Sequence, residues 1–327
     1  MGLLGETMAP THYMAIGLIA SIGGTADAQQ YPNRPIRFLV ANASGSSQDI
    51  LARALGNALT EQTGQQVVVD ARAGGSGILG IEIAKATAPD GYTMVLASTT
   101  PFAALPVLSS NLPYDAEKDF TPLTRIATVA NVLAVNTAMP VGSVAELVAH
   151  AKSKPGQLNY GSAGIGTSGH LSGALFATLA GLNMVHVPYK GAAQTLADVM
   201  AGHTHVMMSG PLVIMPHARS GRIKVLATTG AKRDPLLPEL PTVADAVPGY
   251  EMTQWFGVAV PSKTPAAIVS VLHAQIVKAL RSTTLREQLA KQGASVEPET
   301  PAQFAAFIKA ERSRIAILGK QANIRLD

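Results

Sequence analysis

Two short stretches of the chain concentrate groups able to hold an anion. Residues 159–171 (Asn-Tyr-Gly-Ser-Ala-Gly-Ile-Gly-Thr-Ser-Gly-His-Leu) carry four glycines, two serines and a threonine, and run into the apolar segment 171–180. Residues 43–49 (Ala-Ser-Gly-Ser-Ser-Gln-Asp) are similar in composition, ahead of apolar positions at helical spacing, Ile50, Leu51, Ala54, Leu55, Ala58 and Leu59. Each reads as a strand end, a loop and a helix start. Unpaired backbone N–H groups, hydroxyls and the positive end of the helix dipole favour negative charge at such a place. The candidate ligand-binding residues are therefore Ser162, Ala163, Gly166, Thr167, Ser168 and His170 in one stretch and Ser44, Ser46, Ser47, Gln48 and Asp49 in the other. Ser98, Thr99 and Ser209 join them from other strand ends. His170 is either a ligand contact and pH-sensitive group or a ring packed on its own loop. Asp49, at a helix's first turn, suits the dipole and the loop better than base catalysis.

Other chemistries lack their residues. With no cysteine, disulfides, thiolate catalysis and Cys-ligated metals are excluded. No G-x-S-x-G elbow and no H-E-x-x-H occurs, and the Gly/Ser loop at 161–170 has no lysine, so it is not a P-loop. His203 and His205 are too few for a structural metal. Gly75-Ser-Gly-Ile-Leu-Gly80 matches G-x-G-x-x-G, but it follows the second strand and the next strand ends without an acid for a ribose. A tight turn into a helix is the better reading. No catalytic residue, metal or cofactor is expected; a hydrolase using Ser46 or Ser47 is the weakest alternative.

The elements that position these loops alternate. Strands are expected at 35–40, 66–70 and 92–97, with helices over 49–62 and roughly 78–88 between them. This implies a parallel, doubly wound α/β sheet whose ligand loops are 41–49 and 98–102. A second alternation covers strands near 184–188, 205–208 and 223–228. Long apolar strands at 126–135 and 254–260 pass between the two, and 265–320 is mostly helical. The expected fold is α/β, with two lobes around a ligand cleft: residues 29–127 and 258–327 form the first lobe and 128–257 the second, joined by paired connections that make a hinge.

The N-terminus has the outline of an export signal. The small apolar run 14–24 precedes Ala26-Asp27-Ala28, an A-x-A cleavage pattern, although no Lys or Arg comes before Arg34. Removing residues 1–28 takes Glu6 and Asp27 and no base, which raises the net charge from +4 to +6. Hydrophobic residues make up 47% and charged residues 14%, so a large core forms and disorder is not expected. With no basic run, nucleic acid is not an expected partner. The remainder is expected to be a soluble monomer.

The order and spacing of several further motifs carry a resemblance. They are Tyr31-Pro-x-Arg-Pro-Ile36, Asp49-Ile-x-Ala-Arg53, Gly64-Gln-x-Val-Val-Val69 and Ala88-Pro-Asp-Gly-Tyr-Thr93. Then come Tyr160-Gly-Ser-Ala-Gly-x-Gly-Thr167 with His170-Leu171, Val187-Pro-Tyr-Lys-Gly191, Leu240-Pro-Thr-Val243 and Trp255-Phe-Gly257. From Tyr31 to about the C-terminus, the chain resembles the substrate-binding proteins of tripartite tricarboxylate transporters, the Bug-type periplasmic receptors. The resemblance implies a periplasmic-binding-protein fold that closes like a trap on a small organic carboxylate: a di- or tricarboxylate, an aromatic acid or an amino-acid derivative. It also implies a periplasmic location and delivery to membrane transporter subunits, with a ligand-presenting sensor as the alternative. One carboxylate would be held between the two Gly/Ser loops by amides, hydroxyls and water. The sequence departs from the family at Ala41 (usually Pro), Gly45-Ser46 (usually Gly-Gly) and Met208–Pro211 (usually Asp/Asn-rich). A pocket less polar at its far end follows, with Phe102 as a candidate wall.

Overall fold

A computed structural model describes Gly2 and residues 31–324. The expected export signal, apart from Gly2, lies outside the described residues. Of the described residues, 32–324 belong to one compact unit built on two β-sheets.

The first sheet begins with β1 (Ile36–Val40), α1 (Ser47–Thr63), β2 (Val67–Ala71), α2 (Ile78–Lys85) and β3 (Thr93–Ser98). A wide helical turn at Thr100–Ala104 continues into α3 (Leu105–Leu108), and β4 (Phe120–Ala130) follows. The second sheet uses β5 (Val132–Val135), α4 (Val144–Ser153), β6 (Asn159–Ser162), α5 (Ser168–Ala180) and β7 (Val185–Pro188). It is completed by α6 (Ala192–Ala201), β8 (Val206–Ser209), α7 (Pro211–Arg219) and β9 (Lys224–Thr228). The chain then returns to the first sheet through β10 (Thr253–Pro261), α8 (Ala266–Leu280), α9 (Thr283–Ala290), β11 (Ala294–Ser295) and α10 (Pro301–Gln321).

The two sheets share one plan. The first has the order β11-β4-β10-β3-β1-β2, the second β7-β6-β8-β5-β9. In the first, β1 lies parallel between β2 and β3, and β10 runs antiparallel beside β3. In the second, β6 lies parallel between β7 and β8, and β5 runs antiparallel beside β8. The sheets are therefore mixed: the parallel strands come from the strand–helix alternation, and the strands carrying the chain between sheets take the antiparallel places. In each sheet the strand order reverses at the first strand of the parallel trio. The crevice beyond that strand's carboxyl end, between it and the third strand, is where such sheets bind ligands.

The apolar run at 126–135, expected as one strand, is two strands separated by Asn131. Its backbone N–H donates to Thr229 Oγ1 (2.8 Å) and its carbonyl accepts from Thr229 N–H (2.9 Å). Asn131 therefore bonds to the segment on which the chain returns. Hydropathy is the same on both sides of the break, so periodicity alone does not reveal it. Ala130 pairs with Thr253, so the chain leaves the first sheet at Asn131 and has rejoined it by Thr253.

Helix α5 sits hard on its sheet because it carries glycines on the inner face. A Cβ at Gly173 would lie 2.3 Å from the Tyr160 ring, and one at Gly169 would lie 2.5 Å from the Met208 carbonyl. In the first sheet, the fully buried Trp255 packs edge-on against Phe304 and Phe307 of α10. This fastens the C-terminal helix to β10.

Candidate functional site

The carboxyl ends of the two sheets touch. Ser47, at the start of α1, has its hydroxyl 3.8 Å from where a Cβ would stand on Gly210, the residue that opens α7. Ser76, before α2, donates from Oγ to the carbonyl of Ile165 in the loop before α5 (3.3 Å). The strand-end loops of the first sheet thus meet those of the second.

In the first loop Ser46 is the N-cap of α1, and its hydroxyl accepts from the Asp49 N–H (3.2 Å). Asp49 is 2% exposed; Oδ2 accepts from Gly45 N–H (2.9 Å) and Arg53 Nε (3.0 Å) and stands 3.5 Å from Ser44 Oγ. Burial pushes the Asp49 carboxyl up, but the Arg53 guanidinium and the Gly45 N–H outweigh it and hold it below the usual carboxylate range. Asp49 is therefore the loop's anchor and stays ionised, while its Oδ1 is buried without a partner. Ser47 and Gln48 are half-buried in the first turn, and Ser44 is exposed.

The second loop spends many of its polar groups on itself. Thr167 is the N-cap of α5, and its hydroxyl donates to the Gly164 carbonyl (2.7 Å). Ser162 Oγ donates to the same carbonyl (2.9 Å) and meets His186 Nε2 at 2.8 Å. His170 Nδ1 accepts the Gly166 N–H (3.0 Å). Ser162, Gly166, Thr167 and His170 therefore shape the loop. Ser168, half-buried in the first turn of α5, keeps its hydroxyl outside these bonds, and the first-turn N–H groups have no intrahelical acceptor. Ala163 is half-buried at the loop's start.

Beneath this loop the rings of His170 and His186 stack 3.9 Å apart, and Tyr160 stacks on His186 at 4.9 Å. His186 is a residue the sequence reading did not select. The signal available was its place in the strand beside the Gly/Ser stretch, but nothing in the sequence shows that β7 pairs with β6 (Tyr160 opposite His186). Burial brings His186 down to about 4 and, with the neighbouring imidazole, His170 down to about 3. Both rings are neutral at physiological pH, so His170 is no switch in that range. The unfolded chain takes up these protons near the ordinary value of about 6.5. Stability is therefore fully present above about pH 6.5 and falls as pH drops towards 4. The slope is bounded by about 1.4 kcal/mol per pH unit for each ring, and by less for the partly solvated His186. Melting temperature against pH should show this, and His186→Asn should flatten it; a parallel profile in the variant would contradict the assignment.

At the end of β3, Ser98 is 3% exposed and its hydroxyl has no partner, while Thr99 Oγ1 accepts the Trp255 N–H (3.1 Å). Ser98 adjoins the crevice where β1 and β3 part. Phe102, the candidate wall, follows in the wide helical turn after β3. It is fully buried, packs on Phe120 (5.4 Å between rings), and its carbonyl accepts from Arg312 Nε. The wide helical turn that follows β3 rotates it into the core. Ser209, half-buried, ends β8 next to Gly210. Among the described residues no group of three or more His, Asp or Glu is placed to hold a metal, and no helix is long and apolar enough to cross a membrane.

Two mixed sheets of one plan, with strand ends apposed and a helix N-terminus in each contact region, define a solute-binding protein of the periplasmic-binding type. The chain belongs to the tripartite tricarboxylate transporter family receptors (TctC), whose pattern matches residues 51–324. It is 32% identical over 309 residues to Protein BugT of Bordetella pertussis, covering 94% of this chain and 95% of that protein. Among solved structures it is similar to R. palustris Rpa4515 with adipate (36% identity, TM-score 0.86), covering 90% of this chain and 99% of that one. It is also similar to MatC from Rhodopseudomonas palustris with bound malate (28% identity, TM-score 0.80), covering 88% and 99% respectively.

Proposed function

We propose that the chain is an exported, periplasmic receptor that captures a small organic carboxylate between two lobes and delivers it to membrane transporter subunits, without turning it over. The lobes are the bodies around the two sheets. The observation that carries the reading is the apposition of the strand-end loops, Ser47 against Gly210 and Ser76 against Ile165, with the first turns of α1 and α5 on opposite sides. One carboxylate sits at Ser168, Ala163 and Ser47, held by first-turn N–H groups and hydroxyls, with Ser98 and Ser209 beside it. The unpartnered Ser98 hydroxyl supports this, because a buried donor without an acceptor costs about 1–3 kcal/mol unless a ligand or water satisfies it. That two similar proteins carry adipate and malate supports a dicarboxylate.

Closure follows from the connections. Asn131 and Thr229 bond to each other, Thr229 Oγ1 donates to the Met252 carbonyl (2.6 Å), and Gln254 Nε2 donates to Asn131 Oδ1. The paired crossings flex together, and ligand biases them towards the closed form because only that form offers contacts from both lobes. A thermal-shift screen of carboxylic acids tests the reading. An acid at 100 times its Kd stabilises by about 2.7 kcal/mol, which raises the melting temperature by several degrees. Ser168→Ala and Ser47→Ala should each shrink that shift. No response to any acid, or full responses in both variants, would sink the proposal.

A further inference from the structure

The G-x-G-x-x-G turn is left without a role by the reading above, and its geometry is unusual. Ser76 is held at φ 55°, ψ 28°, left-handed backbone that costs a residue with a Cβ about 1 kcal/mol and glycine almost nothing. Glycines flank it on both sides, so a serine at the tip carries a strain that a glycine would remove. Its hydroxyl donates to the Ile165 carbonyl across the meeting of the two sheets. Gly164 lies just beyond, where an added Cβ would stand 3.9 Å from Ser76 Oγ.

The same turn is mounted rigidly on the first anion loop. A Cβ at Gly80 would meet the Ala41 Cα at 2.7 Å, and one at Gly77 would meet the Ala41 carbonyl at 3.2 Å. Ala41 opens the loop that leads to Ser47. The turn therefore rests on the loop of one sheet and grips the loop of the other. Packing does not fix the tip it grips, because the Ile165 side chain is 43% exposed.

We propose that residues 74–80 are the latch of the binding cleft and that Ser76 is the positioning residue that keeps the closed form shut and sets how slowly a bound acid leaves. This rests on the two-lobed capture mechanism above. The strain at Ser76 is tolerated because the hydroxyl is needed at that point, and the glycines at 77 and 80 let the turn sit directly on Ala41.

The absence of cysteine allows the test to use introduced thiols. Spin labels at Glu82→Cys and Lys190→Cys, both exposed, report the separation of the sheets in the free protein and with saturating adipate or malate. Ser76→Ala should shift the ratio of short to long separations by about threefold towards the open form, the scale of one exposed hydrogen bond. Adipate or malate should dissociate about threefold faster from it, with the association rate and free-protein melting temperature unchanged. Ser76→Gly relieves the backbone and should melt higher than wild type, yet release the acid equally fast. Ser76→Asn, which tolerates left-handed backbone and supplies an N–H donor, should restore slow release. Wild-type separations and release rates in both Ser76→Ala and Ser76→Gly would overturn the latch. If the wild type binds neither acid, the ligand assignment fails, and the label distances in the free protein alone decide the latch.

Discussion

Ser168→Asp is expected to abolish acid binding while leaving the free protein as stable as before, or more so. The two effects have one cause acting in opposite directions. A carboxylate in the first turn of α5 complements the helix dipole and adds about 0.3–1 kcal/mol to the free protein. The same carboxylate about 5 Å from a bound acid repels it by roughly 3 kcal/mol at an effective dielectric constant near 20, more than a hundredfold in Kd. Calorimetric titration with the acid that gives the largest thermal shift measures the loss, and thermal melting of the free variant measures the gain. Ser168→Asn is the neutral control and should lose at most about tenfold. Retained binding in Ser168→Asp would move the anion away from the start of α5. A large drop in melting temperature would instead mean that Ser168 is packed in a way its half-buried state does not suggest.

Gly169→Ala carries the second large effect, and here stability and binding fall together. The added methyl would stand 2.5 Å from the Met208 carbonyl, a backbone atom that cannot rotate away. The first turn of α5 must lift off β8, which costs about 1–3 kcal/mol of overpacking. That is several degrees in melting temperature. Because that turn is also the proposed anion site, the acid should lose affinity beyond what lost stability explains. Gly181→Ala, at the other end of the same helix, separates the two. Gly181 has φ 63° and nothing within 4 Å of its Cβ position, so the substitution costs about 1 kcal/mol of backbone strain without moving the first turn. Its acid affinity should match wild type at a temperature where both are folded. Equal binding losses in the two variants would show that α5 acts through general stability alone.

Local features were legible in the order of residues. Gly/Ser loops ahead of amphipathic segments encode capped helix starts: Ser46 and Thr167 are N-caps because a short hydroxyl side chain before an apolar repeat satisfies N–H groups the helix cannot. The order of motifs along the chain was enough to indicate the receptor family, which residues 51–324 match. Which polar groups remain available depends on contacts between distant segments. Ser162, Thr167 and His170 look equivalent to Ser168 in the sequence, yet strand pairing brings His186 to Ser162, and loop closure turns Thr167 and His170 inward. The burial of Phe102 is set by the helical turn after β3, which spacing along the chain does not reveal. The break at Asn131 depends on a partner about a hundred residues away, Thr229, and hydropathy is blind to such partners. The two Gly/Ser loops were therefore legible as loops. That strand-end loops of the two sheets meet, Ser47 against Gly210 and Ser76 against Ile165, depends on side-chain geometry between sheets, for which spacing along the chain carries no signal.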